Sequence, residues 1–385
     1  MKAADRATAG RIPELDGLRG LAVLLVLVWH YVPCQVVRDG ALGSMIRRAL
    51  YLTGSGVDLF FVLSGFLIVG ILLDQRESAN CLRVFYLRRV CRIFPLYFLL
   101  LGLFVVLGRL ANLPPAAEQW LFGNPLPLWS YASFTQNIVM GLRDSFGPGS
   151  MAVTWSLAVE EQFYLVIPIL VLALKRGPLL GCLLAGMVLA PLLRWASPGF
   201  HAYVNTPWRA DPLLAGACVA VLLRMPRARA ALANQPGLLL AAGGGLLAIA
   251  PLMVIRPGCL GVFDQSWLAL LYSLFVLIAV LGRHPRIAAC LRNPLMIRMG
   301  TISYGIYMFH QLIAGLLHGY LKGQEPRIAG VSDAAITLLA VLCTLAAAWA
   351  SYRFFEAPVI RFGQSHRYQP GPSTHAHPTH SSDRL

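Results

Sequence analysis

The stretch R-I-P-E-L-D-G-L-R-G-L-A-V-L-L-V-L-V-W-H-Y, residues 11–31, is an apolar run that opens with a cation, Arg19, and carries a histidine, His30, well inside it. A helix turns ~100° and climbs ~1.5 Å per residue, so the step from Arg19 to His30 makes about three turns plus about 20° and rises roughly 16 Å. The two side chains therefore share one face, one near a membrane surface and the other deep. Ionisable groups are costly in hydrocarbon, and where they occur they mark a pathway or a site.

Outward from this stretch the chain keeps the same character. It is 57% hydrophobic and 13% charged, with a mean hydropathy of +0.64, too apolar for an ordinary soluble domain. Apolar runs recur at lengths near the ~20 residues of a spanning helix. They predict an all-α, polytopic membrane protein with about ten transmembrane helices, near 18–37, 56–73, 93–110, 154–173, 178–195, 211–223, 237–255, 266–281, 300–321 and 334–355. The net charge of +15 does not point to nucleic acid, because it is distributed by side. With the N-terminus inside, the inner segments hold more than twice as many Lys and Arg as the outer loops, and this positive-inside bias puts both termini in the cytoplasm. The first run lacks a small-residue cleavage site and reads as a retained helix. The domains expected are an N-terminal cytoplasmic segment (1–10), a membrane domain (11–362) and a disordered cytoplasmic tail (363–385). The eight cysteines show no C-x-x-C pair and no metal-ligand spacing. Only Cys34 and Cys259 fall near outer loops. His375, His377 and His380 in the tail are a compositional hint of metal binding and no more, so no metal site is assigned.

Several runs carry polar groups where a purely structural helix would not. The second opens G-V-D-L-F-F, with Asp58 near the outer surface, either an N-cap or a functional acid. The inner loop before the third ends F-Y-L-R-R-V-C-R-I-F-P-L-Y. Arg88, Arg89 and Arg92 lie three and four residues apart and form one basic patch, and arginine's planar fork suits phosphate oxygens. Residues 111–150 are rich in Pro, Gly and Trp and longer than a plain connector, as expected of a segment folded over the outer mouth. In T-W-S-L-A-V-E-E-Q-F-Y, residues 154–164, Ser156, Glu160 and Tyr164 form an i, i+4, i+8 stripe beside Trp155 and Glu161. Glu160 and Glu161 lie at a depth of roughly 10 Å, matching that of His30. A carboxylate there can hold an imidazole's proton on one nitrogen. Arg209 and Asp211 open the sixth run, and their simple reading is a local ion pair. Ser303, Tyr307 and His310 share a face of the ninth. Glu356, at the inner edge of the tenth, is expected to pair with an arginine.

Taken in order, these stretches resemble acyltransferase family 3, the integral-membrane acyltransferases that modify sugars and other hydroxyl compounds. The resemblance covers about residues 11–362 and rests on L-D-G-L-R-G followed by His30; G-V-D-L-F-F-V-L-S-G-F-L-I; R-R-V-C-R-I-F-P-L-Y; W-S-L-A-V-E-E-Q-F-Y; R-A-D-P-L-L-A-G; I-S-Y-G-I-Y-M-F-H; and F-F-E-A-P. It implies a ten-helix domain that takes an acyl group from cytoplasmic acyl-CoA. His30 matches the family's essential histidine, Arg19 the arginine paired with it, and Arg89 and Arg92 the basic motif assigned to CoA phosphates. Some relatives carry a further hydrolase-like domain after an extra helix, and the expectation here is that this chain lacks one.

Together the two lines predict an O-acyltransferase of the bacterial inner membrane. Acyl-CoA, with acetyl favoured, is its donor substrate, no cofactor is permanently bound, and the acceptor is a carbohydrate-type hydroxyl. Its expected partners are those substrates and the lipid bilayer. The expected reacting groups are His30, Glu160, Glu161 and Asp58, with His30 a general base or a transient acyl carrier. Arg19, Arg88, Arg89 and Arg92 are the expected donor-binding groups. Trp155, Tyr164, Arg209, Asp211, Tyr307 and His310 are the expected substrate-binding ones. The competing class is a transporter or flippase for a sugar or lipid-linked substrate, whose intramembrane His, Glu and Arg would line a path.

Overall fold

Helix α1 (Pro13–Tyr31) begins with proline in its first turn, where no backbone N–H is needed, and with Glu14 and Asp16 at the positive end of its dipole. Both acids are held by cations: Glu14 by Arg292 at 2.6 Å and Asp16 by Arg19 at 3.3 Å. The computed structural model describes residues 12–37, 40–282 and 284–371. Among them the secondary structure is helical throughout, apart from isolated bridges joining Val36 to Ile328 and Ser78 to Pro370.

The long helices after α1 are α2 (Gly56–Gln75), α3 (Cys81–Leu110), α4 (Thr154–Ala173), α5 (Arg176–Ala196), α6 (Ala210–Leu223), α7 (Pro236–Leu247), α8 (Asp264–Leu281), α9 (Ser303–Lys322) and α10 (Val331–Ser351). Seven helical stretches among the described residues are long and apolar enough to cross a membrane: Tyr51–Gln75, Cys81–Leu110, Gly149–Ala173, Arg176–Ala196, Pro236–Ile255, Gly261–Leu281 and Val331–Ser365. The other three expected spans, α1, α6 and α9, are helices as well. However, α1 carries Glu14, Asp16 and Arg19, and α6 has only 14 residues. Helix α3 starts at Cys81, twelve residues before the predicted 93, so the basic motif and the apolar run are one continuous helix.

The bundle has two ends. The proximal end holds the start of α1, with Gly17 against Leu291 and Asp16 against Gly300. It also holds the ion pair of Arg224 with Asp74. The distal end holds Tyr31, the bridge at Ile328, and residues 111–153. That segment, expected to fold over one mouth, forms short helices at Pro115–Phe122, Leu128–Ala132, Gln136–Arg143 and Gly149–Ala152. They are tied down by Tyr97 donating to the Tyr131 carbonyl (2.8 Å) and Gln136 donating to the Thr154 carbonyl (2.8 Å).

The tail departs from expectation. Residues 363–371, predicted as the start of a disordered segment, are ordered: helix Ala357–Ser365 runs on, and the chain then folds back against the start of α3. Gln369 N–H donates to Asn80 Oδ1 (2.9 Å), and Asn80 donates to the Arg367 carbonyl (3.1 Å). Residues 1–11 and 372–385, including His375, His377 and His380, lie outside the described residues.

The tightest helix contact joins α2 to α6. A Cβ added at Gly65 would sit 1.8 Å from the Leu213 carbonyl oxygen, and one at Gly216 would sit 1.9 Å from the Val62 oxygen. Small residues let backbones approach this closely, and packing of that kind drives helix association in lipid. Gly65→Ala or Gly216→Ala is expected to cost about 1–3 kcal/mol, read as a lower apparent melting temperature in detergent. Gly102→Ala on α3, where no atom lies within 4 Å of the added Cβ, should melt with the wild type.

Candidate functional site

Two cavities lie along the bundle. The proximal one, about 130 Å³, is lined by Arg19, Arg89, Arg92, Ser64, Ser156, Glu160, Tyr164, Ser303, Tyr304 and Tyr307 together with apolar groups of α2 and α3. The distal one, about 630 Å³, is lined by His30, Asp58, Trp155, Tyr203, Arg209, Gln265, Tyr307 and Gln311 among others. Only Val57 and Tyr307 line both. The Tyr307 hydroxyl meets Ser156 Oγ at 2.6 Å and donates to the Val153 carbonyl at 2.9 Å, so its ring is a pinned partition between the two spaces.

The helical rise of α1 accounts for this division, since Arg19 opens to the proximal pocket and His30 to the distal cavity. Around Arg19, the guanidinium groups of Arg89 and Arg92 converge from α3. Neither makes a hydrogen bond or ion pair within the described protein, and Arg89 Nε is buried without a partner. Facing them is Glu160, which accepts from the Tyr164 hydroxyl (3.3 Å), and that hydroxyl also meets Ser64 Oγ at 2.5 Å. The Ser156, Glu160 and Tyr164 stripe thus lines one pocket, as its spacing predicts.

Arg88 is not part of this group. Its Nη2 donates to the His366 carbonyl (2.8 Å) and its guanidinium lies 4.8 Å from the Tyr368 ring centre, so it fastens the tail to α3. Glu161 lines neither cavity, and its Oε1 is buried without a partner. Glu356 does not form the expected ion pair: it accepts from Ser351 Oγ (2.9 Å), with Arg92 acting on it only through the field.

His30 does not meet Glu160 or Glu161. Its Nδ1 lies 3.0 Å from the Val26 carbonyl. A carbonyl only accepts, so Nδ1 carries the hydrogen and Nε2 holds the lone pair. Its ring packs against His310, centroids 4.8 Å apart. Backbone on its own helix therefore fixes the tautomer that a carboxylate was expected to fix.

The expected local pair of Arg209 with Asp211 is also replaced. Arg209, buried, donates to Asp58 Oδ1 at 2.7 Å and lies 5.2–5.9 Å from the ring centres of Tyr203, Trp155 and Phe61. Asp211 is gripped in a fork by Arg194 (2.7 and 3.1 Å) and accepts from Ser266 Oγ (2.7 Å). Asp58 is therefore an ion-pair partner in the wall of the distal cavity. Arg194 and Tyr203 escaped the sequence reading. A lone arginine in the apolar run L-L-R-W-A was the available sign of the first, and nothing marked the second.

An all-helical chain with this many membrane-length helices is a multi-pass membrane protein. It belongs to acyltransferase family 3, whose family model, described as an acyltransferase domain, matches residues 12–353. It is similar to the peptidoglycan O-acetyltransferase OatA of Listeria monocytogenes, 30% identical over 393 residues that cover 94% of this chain and 58% of that protein. It is similar also to a putative O-acetyltransferase of Staphylococcus aureus strain COL (28% identical, 91% of this chain and 58% of that one). A third relative is YrhL, a putative peptidoglycan O-acetyltransferase of Bacillus subtilis (29%, 90% and 55%). The chain spans a little over half the length of these relatives. No solved structure matches it.

Removing one member of a buried ion pair leaves the other charge uncompensated, at a cost of about 3–5 kcal/mol. Asp58→Ala is expected to show that loss as a large drop in melting temperature. The double variant Asp58→Ala with Arg209→Met should recover most of it in a double-mutant cycle.

Proposed function

We propose that the protein is a membrane O-acyltransferase that moves an acyl group, acetyl in the favoured case, from acyl-CoA to a hydroxyl of a carbohydrate-type acceptor. In this reading ten helices span a bacterial inner membrane, both termini are cytoplasmic, and the proximal pocket faces the cytoplasm. The observation that carries it is the pair of cavities meeting at Tyr307, one rich in unpaired guanidinium groups and the other holding a histidine with a free Nε2.

The roles follow from the chemistry of each space. Arg89 and Arg92, with Arg19, form a cluster suited to phosphates, since bidentate charge-assisted hydrogen bonds to planar guanidinium are the strong ones. Arg88 is withdrawn from this role because the tail occupies it. In the distal cavity Trp155 and Tyr203 offer flat apolar faces beside polar groups such as Gln265 and Gln311, a combination that suits sugar rings with their apolar faces and hydroxyl rims. The relatives named for peptidoglycan make a cell-wall glycan the first acceptor to test.

His30 is the general base. Its Nε2 takes the acceptor's hydroxyl proton as that oxygen attacks the thioester carbonyl. The C–O bond forms, the C–S bond breaks, and CoA leaves as a thiolate that recovers the proton from the imidazolium. For the thioester to reach His30, the Tyr307 partition must give way or the acyl group must pass beside it. Glu160, among the arginines, tempers their charge.

The test is CoA release from acetyl-CoA by purified protein in nanodiscs, with and without a peptidoglycan fraction. His30→Ala should reduce acceptor-dependent release to background while the protein stays monodisperse. Arg92→Ala should raise the KM for acetyl-CoA by about 10- to 100-fold, the worth of one hydrogen bond to a charged group. A well-folded wild type that neither binds nor turns over several acyl-CoAs would favour a transporter instead.

A further inference from the structure

The distal cavity holds three charged side chains in its lining, Asp58, Arg209 and Asp264. The first two neutralise each other at 2.7 Å. Asp264, the first residue of α8, has no cation of its own. Its Oδ1 accepts from the Leu260 N–H at 3.2 Å, and its Oδ2 accepts from no group among the described residues. Arg194 acts on it only through the field, being itself forked onto Asp211. With His30 neutral, the cavity therefore carries one uncompensated negative charge.

Its other polar groups are short of partners as well. Gln265, the next residue of α8, has its Oε1 buried without a hydrogen bond, and the Gln311 amide on α9 makes none among the described residues. Amides both donate and accept, whereas a carboxylate only accepts. Polar atoms left unpaired cost free energy. A ligand that arrives with hydroxyl hydrogens recovers it, most of all at the carboxylate, where hydrogen bonds are strengthened by charge. A ligand that arrives with a second negative charge meets repulsion instead, and repulsion of that kind is how a site turns wrong partners away.

We infer that Asp264 and Gln265 select the acceptor: they take the hydroxyl donors of a sugar ring that bears no acidic group, and Asp264 keeps acidic sugars out of the cavity. The cavity, about 630 Å³, is within the range that holds small ligands. The aromatic faces of Trp155 and Tyr203 pack the ring, and the first turn of α8 reads its rim. This rests on the acyltransferase reading above, and it names the class of hydroxyl compound that the reading leaves open.

The variant Asp264→Asn removes the charge while keeping an oxygen for the Leu260 N–H, so the fold is retained. In the acetyl-CoA and peptidoglycan-fraction assay, its KM for the glycan is expected to rise about tenfold, the worth of one hydrogen bond to a charged group. Its KM for acetyl-CoA should not move. Methyl glucoside should compete with the glycan better than methyl glucuronide in wild type, and the variant should narrow that difference. An unchanged glycan KM, or an equal rise for acetyl-CoA, would overturn the proposal. Should the variant fold poorly, wild type decides, because a glucuronide that competes as well as the glucoside overturns it too.

A second measurement needs no turnover. Cys34 is exposed and lines the same cavity. Its labelling in nanodiscs by a cationic (trimethylammonium) and an anionic (sulfonate) ethyl methanethiosulfonate is followed by peptide mass spectrometry. The cationic-to-anionic rate ratio should fall about fivefold in Asp264→Asn, as expected for losing one screened charge. A ratio that stays the same would overturn the role of Asp264. If the wild type releases no CoA, the acyltransferase reading falls, and this ratio still decides whether Asp264 sets the charge preference of the cavity.

Discussion

Two buried ion pairs govern the distal half of the molecule. A lone guanidinium or carboxylate in a low-dielectric interior is far more costly than a paired one, so Asp58, Arg209, Asp211 and Arg194 can be present only as partners. Their pairing runs across elements: Asp58 of α2 to the turn Pro207–Arg209, and Asp211 of α6 to Arg194 of α5, with Ser266 of α8 joining the second pair. The helices that wall the distal cavity are therefore stitched together by groups that cannot let go. That permits a cavity of about 630 Å³ in a region where close packing would otherwise be the main source of rigidity.

How much of this the sequence could reveal depends on whether the relevant distance lies within one helix. The separation of Arg19 from His30 along one face of α1 was legible because rise and twist per residue are constants, whereas the partition at Tyr307, a contact between helices, was not. The stripe of Ser156, Glu160 and Tyr164 was legible for the same reason. Contacts between helices were not. Arg209 and Asp211 are two residues apart, and such neighbours point to different sides of a helix, so each found a partner on another element. The choice among the arginines of α3 was equally hidden. Residues 88 and 92 share one row and 89 and 92 another, and only the folded-back tail, which takes Arg88, shows which row faces the pocket. The count of spans was blurred where α1 mixes charge with apolar surface and where α6 is short.

The tautomer of His30 follows the same logic. Depth alone suggested Glu160 or Glu161 as its partner, yet equal depth does not mean proximity in a bundle of many helices. Glu160 looks instead toward Arg19 and accepts from Tyr164, while the backbone of α1 supplies His30 with an acceptor only four residues back. A carbonyl orients the ring as well as a carboxylate would, but it brings no full negative charge to stabilise an imidazolium. His30 thus has a ring fixed by backbone and no anionic side chain hydrogen-bonded to it among the described residues.

Charge separates the two cavities as clearly as Tyr307 does. In the proximal pocket Arg19, Arg89 and Arg92 face two carboxylates, Glu160 in the lining and Asp16 paired with Arg19, which leaves a cationic surplus inside walls of low dielectric that strengthen its field. In the distal cavity Arg209 is matched by Asp58, and Asp264 adds a second acid, so no cationic surplus remains. An anionic group would gain from the first space and little from the second. A neutral hydroxyl compound loses little in the second and would compete poorly for the first. The field of the arginines thus favours negative charge on their side of Tyr307 over negative charge on the distal side.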